Sequence, residues 1–225
     1  MAAATAKRRL SPIADMYHTS SGTLASVNRF GSDPATRGMS MNDIGQQFRM
    51  MLVTGTSPDG NVRATITGER ILRIDFQRDS FEWYDEQRLE RQLAGLATNT
   101  WVAWERERRE ISRTASGLTH AEADEARQTH KDQELSSYGE KLRSIECTGI
   151  SSGQTVAIRT IGMTHWQVSV ADGTLRMLDV RRFAGELRSA FESLLRDRES
   201  KIILLRAEYF DLGIPRHWRD RAAGA

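Results

Sequence analysis

From Leu52 onward the chain alternates apolar and polar positions in two short runs, then changes to a helical period. The same progression returns 94 residues later. Val62, Ala64 and Ile66 alternate with Arg63, Thr65 and Thr67, and Leu72, Ile74 and Phe76 alternate with Arg73 and Asp75. A period of two predicts strands with one buried face. A first strand near Leu52 to Thr56, the turn Ser57-Pro58-Asp59-Gly60 and the link Gly68-Glu69-Arg70 complete a three-stranded antiparallel meander. Leu89, Leu93, Leu96, Ala97, Thr100, Trp101 and Trp104 then recur at spacings of three and four. That spacing predicts a long helix, capped by Asp85, whose apolar stripe covers the sheet. Glu105 to Glu110 are expected to be its solvated end and Ser112 to Gly117 its break.

The second progression aligns without a gap. Thr54-Gly55 meets Thr148-Gly149, Ser57 meets Ser151, Val62 meets Val156, Gly68 meets Gly162, Ile74 meets Val168, Asp85 meets Asp179 and Leu93 meets Leu187. Turn residues, strand interiors, a helix start and a helix face all coincide. Two copies are too few for a solenoid, so the expectation is an intramolecular pseudo-dimer, one chain standing in for a homodimer. The expected fold class is α+β: two tandem α-β-β-β-α domains, each with a three-stranded antiparallel sheet and a long helix.

The flanks set the domain organisation. Residues 1–40 are rich in Ala, Ser, Thr and Gly without a sustained period and read as a mobile arm, with room for a short helix around Ile13 to Tyr17. Ile44, Phe48 and Met51 fall on one helical face and open the first domain, 41–112. A polar, helix-compatible linker follows at 113–137. The second domain runs over 138–205, and 206–225 form a tail with Tyr209, Phe210, Leu212, Ile214 and Trp218, which Gly213 and Pro215 keep from being regular helix.

Composition narrows the chemistry. A net charge of +2 among 28% charged residues gives no overall field that would declare a nucleic-acid or membrane partner. By segment the charge is +3 over 1–52, −2 over 53–111, −2 over 112–146 and +2 over 147–205. One cysteine, Cys147, allows no internal disulfide and aligns with Val53, so it is expected to be a packing residue in a reducing compartment. No stretch approaches the roughly 20 apolar residues of a membrane span, and the expected location is cytoplasmic. His120 and His130 do not share a helix face, His165 and Gln167 fall on the polar side of a strand, and no metal site or cofactor is expected. No nucleophile-base pair or phosphate-cradling glycine loop emerges, so the chain is expected not to be an enzyme.

The run Val53-Thr54-Gly55-Thr56-Ser57-Pro58-Asp59-Gly60-Asn61-Val62-Arg63-Ala64-Thr65-Ile66-Thr67-Gly68, set between a helix and a long amphipathic helix, resembles the YbaB/EbfC family. The resemblance spans about 41 to 112 and, more faintly, 138 to 205. It implies small cytoplasmic, nucleoid-associated DNA-binding proteins that dimerise through their sheets, here in a fused, tandem form. The opening helix departs from the family, being short and preceded by a loose arm. Related proteins of type VII secretion loci look like cytoplasmic adaptors, and the resemblance leaves both roles open.

For double-stranded DNA the candidate residues are Lys7, Arg8 and Arg9 in the arm and Arg181, Arg182, Arg188 and Arg198 along the second long helix. Arg181 and Arg182 sit in a first helical turn, where a cation opposes the macrodipole by up to about 1 kcal/mol unless it meets an anion. The bland alternative is a solvated face paired with Glu186, Glu192 and Asp197. For another protein as partner the candidates are Trp101, Trp104 and Trp218, with filling of the contact between the halves as the alternative for the first two. No membrane partner is expected, and further dimerisation is left open.

Overall fold

The computed structural model describes residues 41–129 and 133–209. The expectations for the arm (Lys7, Arg8, Arg9 and the helix near Ile13), and for Trp218 and the rest of the tail beyond Tyr209, lie outside them. The chain forms α1 (Met41–Met50), β1 (Leu52–Thr56), β2 (Val62–Thr67), β3 (Leu72–Phe76), a short 3-10 turn (Ser80–Trp83) and α2 (Glu86–Ala115). There follow α3 (His120–Thr129), α4 (Gln133–Ser144), β4 (Glu146–Ile150), β5 (Val156–Ile161), β6 (His165–Val170), α5 (Thr174–Met177) and α6 (Val180–Tyr209). The protein is α+β, with two three-stranded antiparallel sheets ordered β1-β2-β3 and β4-β5-β6. Both sheets lie within one compact unit, Gly38–Ile202.

Each sheet is a meander because its turns are short and chemically specified. Ser57 Oγ accepts the Val62 amide at 2.9 Å, and Ser151 Oγ accepts the Val156 amide at 3.1 Å. Both serines are buried, so each hydroxyl satisfies a backbone donor that has no access to water. Gln92 on α2 accepts the Asp59 amide at 3.0 Å, and Glu186 on α6 accepts the Gly153 amide at 2.9 Å. These partners are again 94 residues apart. The Asp85 carboxylate accepts the Arg88 amide and Asp179 accepts that of Arg182, so both long helices start on the same cap.

The long helices lie unusually close to the first strand of each sheet. A Cβ at Gly55 would stand 2.8 Å from Thr100 Cα, and one at Gly149 would stand 2.6 Å from Leu194 Cβ and closer still to the Ala190 carbonyl oxygen. Only glycine admits that approach. It brings Leu89, Leu93 and Leu96 down on Val53, Val62, Ala64 and Ile66 in one half, and Phe183, Leu187 and Leu194 on Cys147, Val156 and Ile158 in the other.

Helix α2 ends at Ala115 with Ser116 as its cap, within the expected break at 112–117, but part of its charged end is covered. Glu105 and Arg108 are only about a quarter exposed and are bonded to each other at 3.0 Å, because the helix continues through Ala115 beside the other half. The 3-10 turn and α5, which the hydrophobic period does not show, each begin after a left-handed residue, Asp79 or Gly173, and seal a buried hydroxyl, Ser80 or Thr174, onto the carbonyl three residues back.

Gly149→Ala is expected to lower stability by about 1–3 kcal/mol, the usual cost of overpacking a filled core. Gly185→Ala, on α6 with open space around it, is expected to raise stability by about 0.5–1 kcal/mol. Paired denaturant titrations of the two variants check the contrast.

Candidate nucleic-acid interface

Helix α6 carries most of the candidate cations, and its start is fixed by the Asp179 cap. At about 100° per residue, Phe183, Leu187, Ala190 and Leu194 fall on the stripe that meets β4 and β5. Arg181, Arg188 and Arg196 fall within about 80° of one another on the opposite side, and all three are exposed. At about 1.5 Å per residue they span roughly 22 Å of helix.

Two of the three carboxylates expected to neutralise this face are engaged elsewhere. Glu186 holds the β4–β5 turn, accepting the Gly153 amide at 2.9 Å and the Thr155 hydroxyl at 3.1 Å. Hydrogen bonds from Ser151, Gly153 and Thr155 hold its carboxyl below the usual glutamate range, against the opposing effect of burial. Asp197 accepts the Thr148 amide at 2.9 Å and Lys201 Nζ at 2.8 Å. Arg181, Arg188 and Arg196 therefore have no ion pair among the described residues, and Glu192 is the acid left between them. Arg182 differs, lying 3.8 Å from its own capping residue, Asp179.

Arg198 does not share this face. It lies about 80° round the helix from Arg188, half-buried, with its guanidinium 5.8 Å from the ring centre of Trp101. Trp101 and Trp104 stack at 4.9 Å, Trp101 also meets Trp166 at 6.2 Å, and Arg108 lies 5.9 Å from the Trp104 ring. Burial first, and then the neighbouring Arg70 and Arg108, push the Arg198 pKa below its ordinary value. Trp101 and Trp104 are 8% and 6% exposed. They fill the contact between the two halves and are not available to an outside partner. Trp104 Nε1 and Arg108 Nε are buried without an acceptor among the described residues.

The other candidates fall as follows. Cys147 is buried and unpaired, and burial raises its thiol pKa, as suits a packing residue. His165 and Gln167 are exposed on β6. Among the described residues there is no group of metal-ligating side chains, and no helix is long and apolar enough to cross a membrane. The turn of the first half uses a different device: Tyr84 donates to Asp59 at 2.6 Å, and burial together with that bond pushes the Tyr84 pKa up to about 12. The pairing joins residues 25 apart, and no hydrophobic period or short motif marks it.

Comparison of the chain with protein-family models, with curated proteins and with solved structures returns no significant match.

Because the folded pKa of Glu186 is depressed, its contribution is present above the unfolded glutamate value of about 4.3 and is lost as pH falls through the lower folded value. Glu186→Gln is expected to cost about 0.5–1.5 kcal/mol at pH 7. The deficit should shrink below about pH 4.3, as read from urea midpoints of both proteins across that range.

Proposed function

We propose that this chain is a non-catalytic protein that binds duplex DNA through phosphates with little sequence specificity, built as an intramolecular pseudo-dimer. This is the role implied by its resemblance to the nucleoid-associated YbaB/EbfC proteins. The observation that carries the reading is the row Arg181, Arg188 and Arg196, three exposed arginines whose nearby acids Glu186 and Asp197 are committed to backbone amides. Guanidinium groups held along one helix face meet phosphates as planar forks, and a contact made of charge alone reads no bases.

Reciprocal contacts support the pseudo-dimer. Phe183 of α6 packs on Phe76 of β3 at 6.2 Å, while Glu90 of α2 accepts the Val170 amide of β6 at 2.8 Å. Position 183 corresponds to 89, next to Glu90, and position 170 to 76, so each long helix reaches the last strand of the other half within one residue of the same level. Contacts of the form i to j and j to i are what a two-fold relation generates. The DNA face is not duplicated with the scaffold, since Gln87, Ala94 and Val102 stand where Arg181, Arg188 and Arg196 do. The protein would lie on DNA by one side and work in the nucleoid.

A protein-binding role through Trp101 and Trp104 finds no support in their burial. A protein partner would need another surface.

Duplex binding is expected to weaken as salt rises with a log–log slope of about −3 if three phosphates are neutralised, which is about a 40-fold loss between 50 and 200 mM. Arg181→Gln and Arg188→Gln should each reduce the slope by about one. Arg198→Met, changing a side chain turned onto Trp101, should leave it unchanged. Fluorescence anisotropy on a labelled duplex measures all four proteins; no binding at low salt, or equal slopes throughout, refutes the reading.

A further inference from the structure

The outer strands of the two sheets occupy matching places and end differently. In β4 two of the backbone groups that face away from the sheet are bonded by side chains of α6: Asp197 accepts the Thr148 amide at 2.9 Å, and Lys201 Nζ donates to the Glu146 carbonyl at 2.9 Å. In β1 the matching positions on α2 are Ala103 and Glu107. Met51 and Ser57 bond toward β2, through Gly68 and Val62 respectively, so the even-numbered residues Leu52, Thr54 and Thr56 direct their backbone groups outward. Asn99 donates to the Thr56 carbonyl at 3.0 Å. The Thr54 amide and the Leu52 carbonyl have no such partner among the described residues.

The side chains differ at the same place. Met50, Leu52 and Ile71 are 74%, 66% and 55% exposed, and their counterparts are Ser144, Glu146 and His165. Leu52 pairs with Thr67, whose amide bonds to the Ile71 carbonyl, so Leu52 and Ile71 belong to one cross-strand row on the outer face. Thr54 and Thr65 form the next row, 3.4 Å apart through their hydroxyls. Thr56, Arg63 and Asp75 form the third. Asp75 is held by Arg73 at 3.0 Å, which leaves the exposed Arg63 without an ion pair among the described residues.

We infer that the edge of β1, free among the described residues, takes up an extended segment of a separate protein, which adds a fourth strand with an apolar side chain beside Leu52 and a carboxylate beside Thr56, in the row of Arg63. Unused backbone donors and acceptors at a sheet edge are satisfied by another strand. Alternate side chains of that strand then lie over the three rows, apolar, hydroxyl and cationic in order. Charge complementarity makes the residue over the third row acidic. A second copy of this chain fits poorly, because two-fold antiparallel pairing of β1 with itself sets the Leu52 row against the Arg63 row and an apolar end against a cation. The inference does not depend on DNA binding, which uses α6.

The probe is an acetylated eight-residue peptide with Glu, Thr and Leu at every second position, ordered so that antiparallel pairing sets Glu by Thr56 and Leu by Leu52. Titrated into the isotopically labelled full chain, it is expected to shift the amide resonances of Leu52, Thr54 and Thr56 and to leave those of Thr148 and Ile150 in place. N-methylation of the peptide threonine, which removes the donor facing the Thr54 carbonyl, should weaken binding at least five-fold. Exchange of its glutamate for lysine should do the same. Leu52→Lys, at a side chain that is exposed and outside the core, should abolish the shifts while the protein keeps its denaturation midpoint. No shift at millimolar peptide, shifts confined to the β4 edge, or equal affinity of the N-methylated peptide overturns the inference. So does a concentration-dependent dimer that Leu52→Lys dissociates in sedimentation, since the occupant would then be a second copy.

Discussion

The closeness of each long helix to the first strand beneath it governs the rest of the molecule. With no Cβ at Gly55 or Gly149, α2 and α6 settle deeply enough for leucine and phenylalanine side chains to reach the sheet interior. The depth also decides which residues project beyond the sheet. Glu86 and Glu90 extend far enough to accept the Leu175 and Val170 amides of the opposite half, and Asp197 and Lys201 reach over the edge of β4. A helix held further out by one methyl group would loosen its own sheet, the seam and the protected edge together. The three are coupled because protein interiors are packed too densely to absorb a displacement locally.

The seam between the halves is hydrophobic at one end and cationic at the other. Phe76, Phe81 and Phe183 meet edge-on near the helix starts, whereas Trp101, Trp104, Arg108 and Arg198 gather further along. Arg198 occupies the position that corresponds to Trp104, so at equivalent sites one half offers a ring and the other a guanidinium. Arg198 lies over Trp101 and Arg108 over Trp104, and a guanidinium near an indole face is held by the ring quadrupole, by about 0.5–1 kcal/mol at exposed sites and more when desolvated.

Strands, helix phases and caps were legible in the sequence because each follows from a local period or a local residue type. Val62 to Ile66, Leu89 to Trp104 and the aspartates at 85 and 179 needed no knowledge of what lay opposite. The functional surface was less legible because it depends on where acids are spent. Glu186 and Asp197 look from their spacing like partners for the arginines of their own helix, and only the return of the β4–β5 turn and of β4 itself draws them away. Arg198 has the same origin, since its place on the apolar stripe is visible in the period but the tryptophan that makes the place tolerable belongs to the other half. One signal was available for the open edge. The substitution of Asp197 and Lys201 by Ala103 and Glu107 at the constant offset is written in the sequence, but it acquires meaning only once those side chains are seen to cap backbone groups.

The proposed pseudo-dimer and the open edge of β1 bear on each other. An unprotected, apolar strand edge invites pairing with any other such edge. In a homodimer made of two first halves every molecule would carry two, one on each side, and edge-to-edge association would have no closing step and would grow into an open chain. Joining the halves covalently would allow the edge of β4 to be partly closed by Asp197 and Lys201 while that of β1 stays available, so that one molecule would accept one strand there. The exposed Leu52 row is thus tolerable in this chain for a reason that lies in the other half, in the charged pair Asp197 and Lys201 that bonds the corresponding edge.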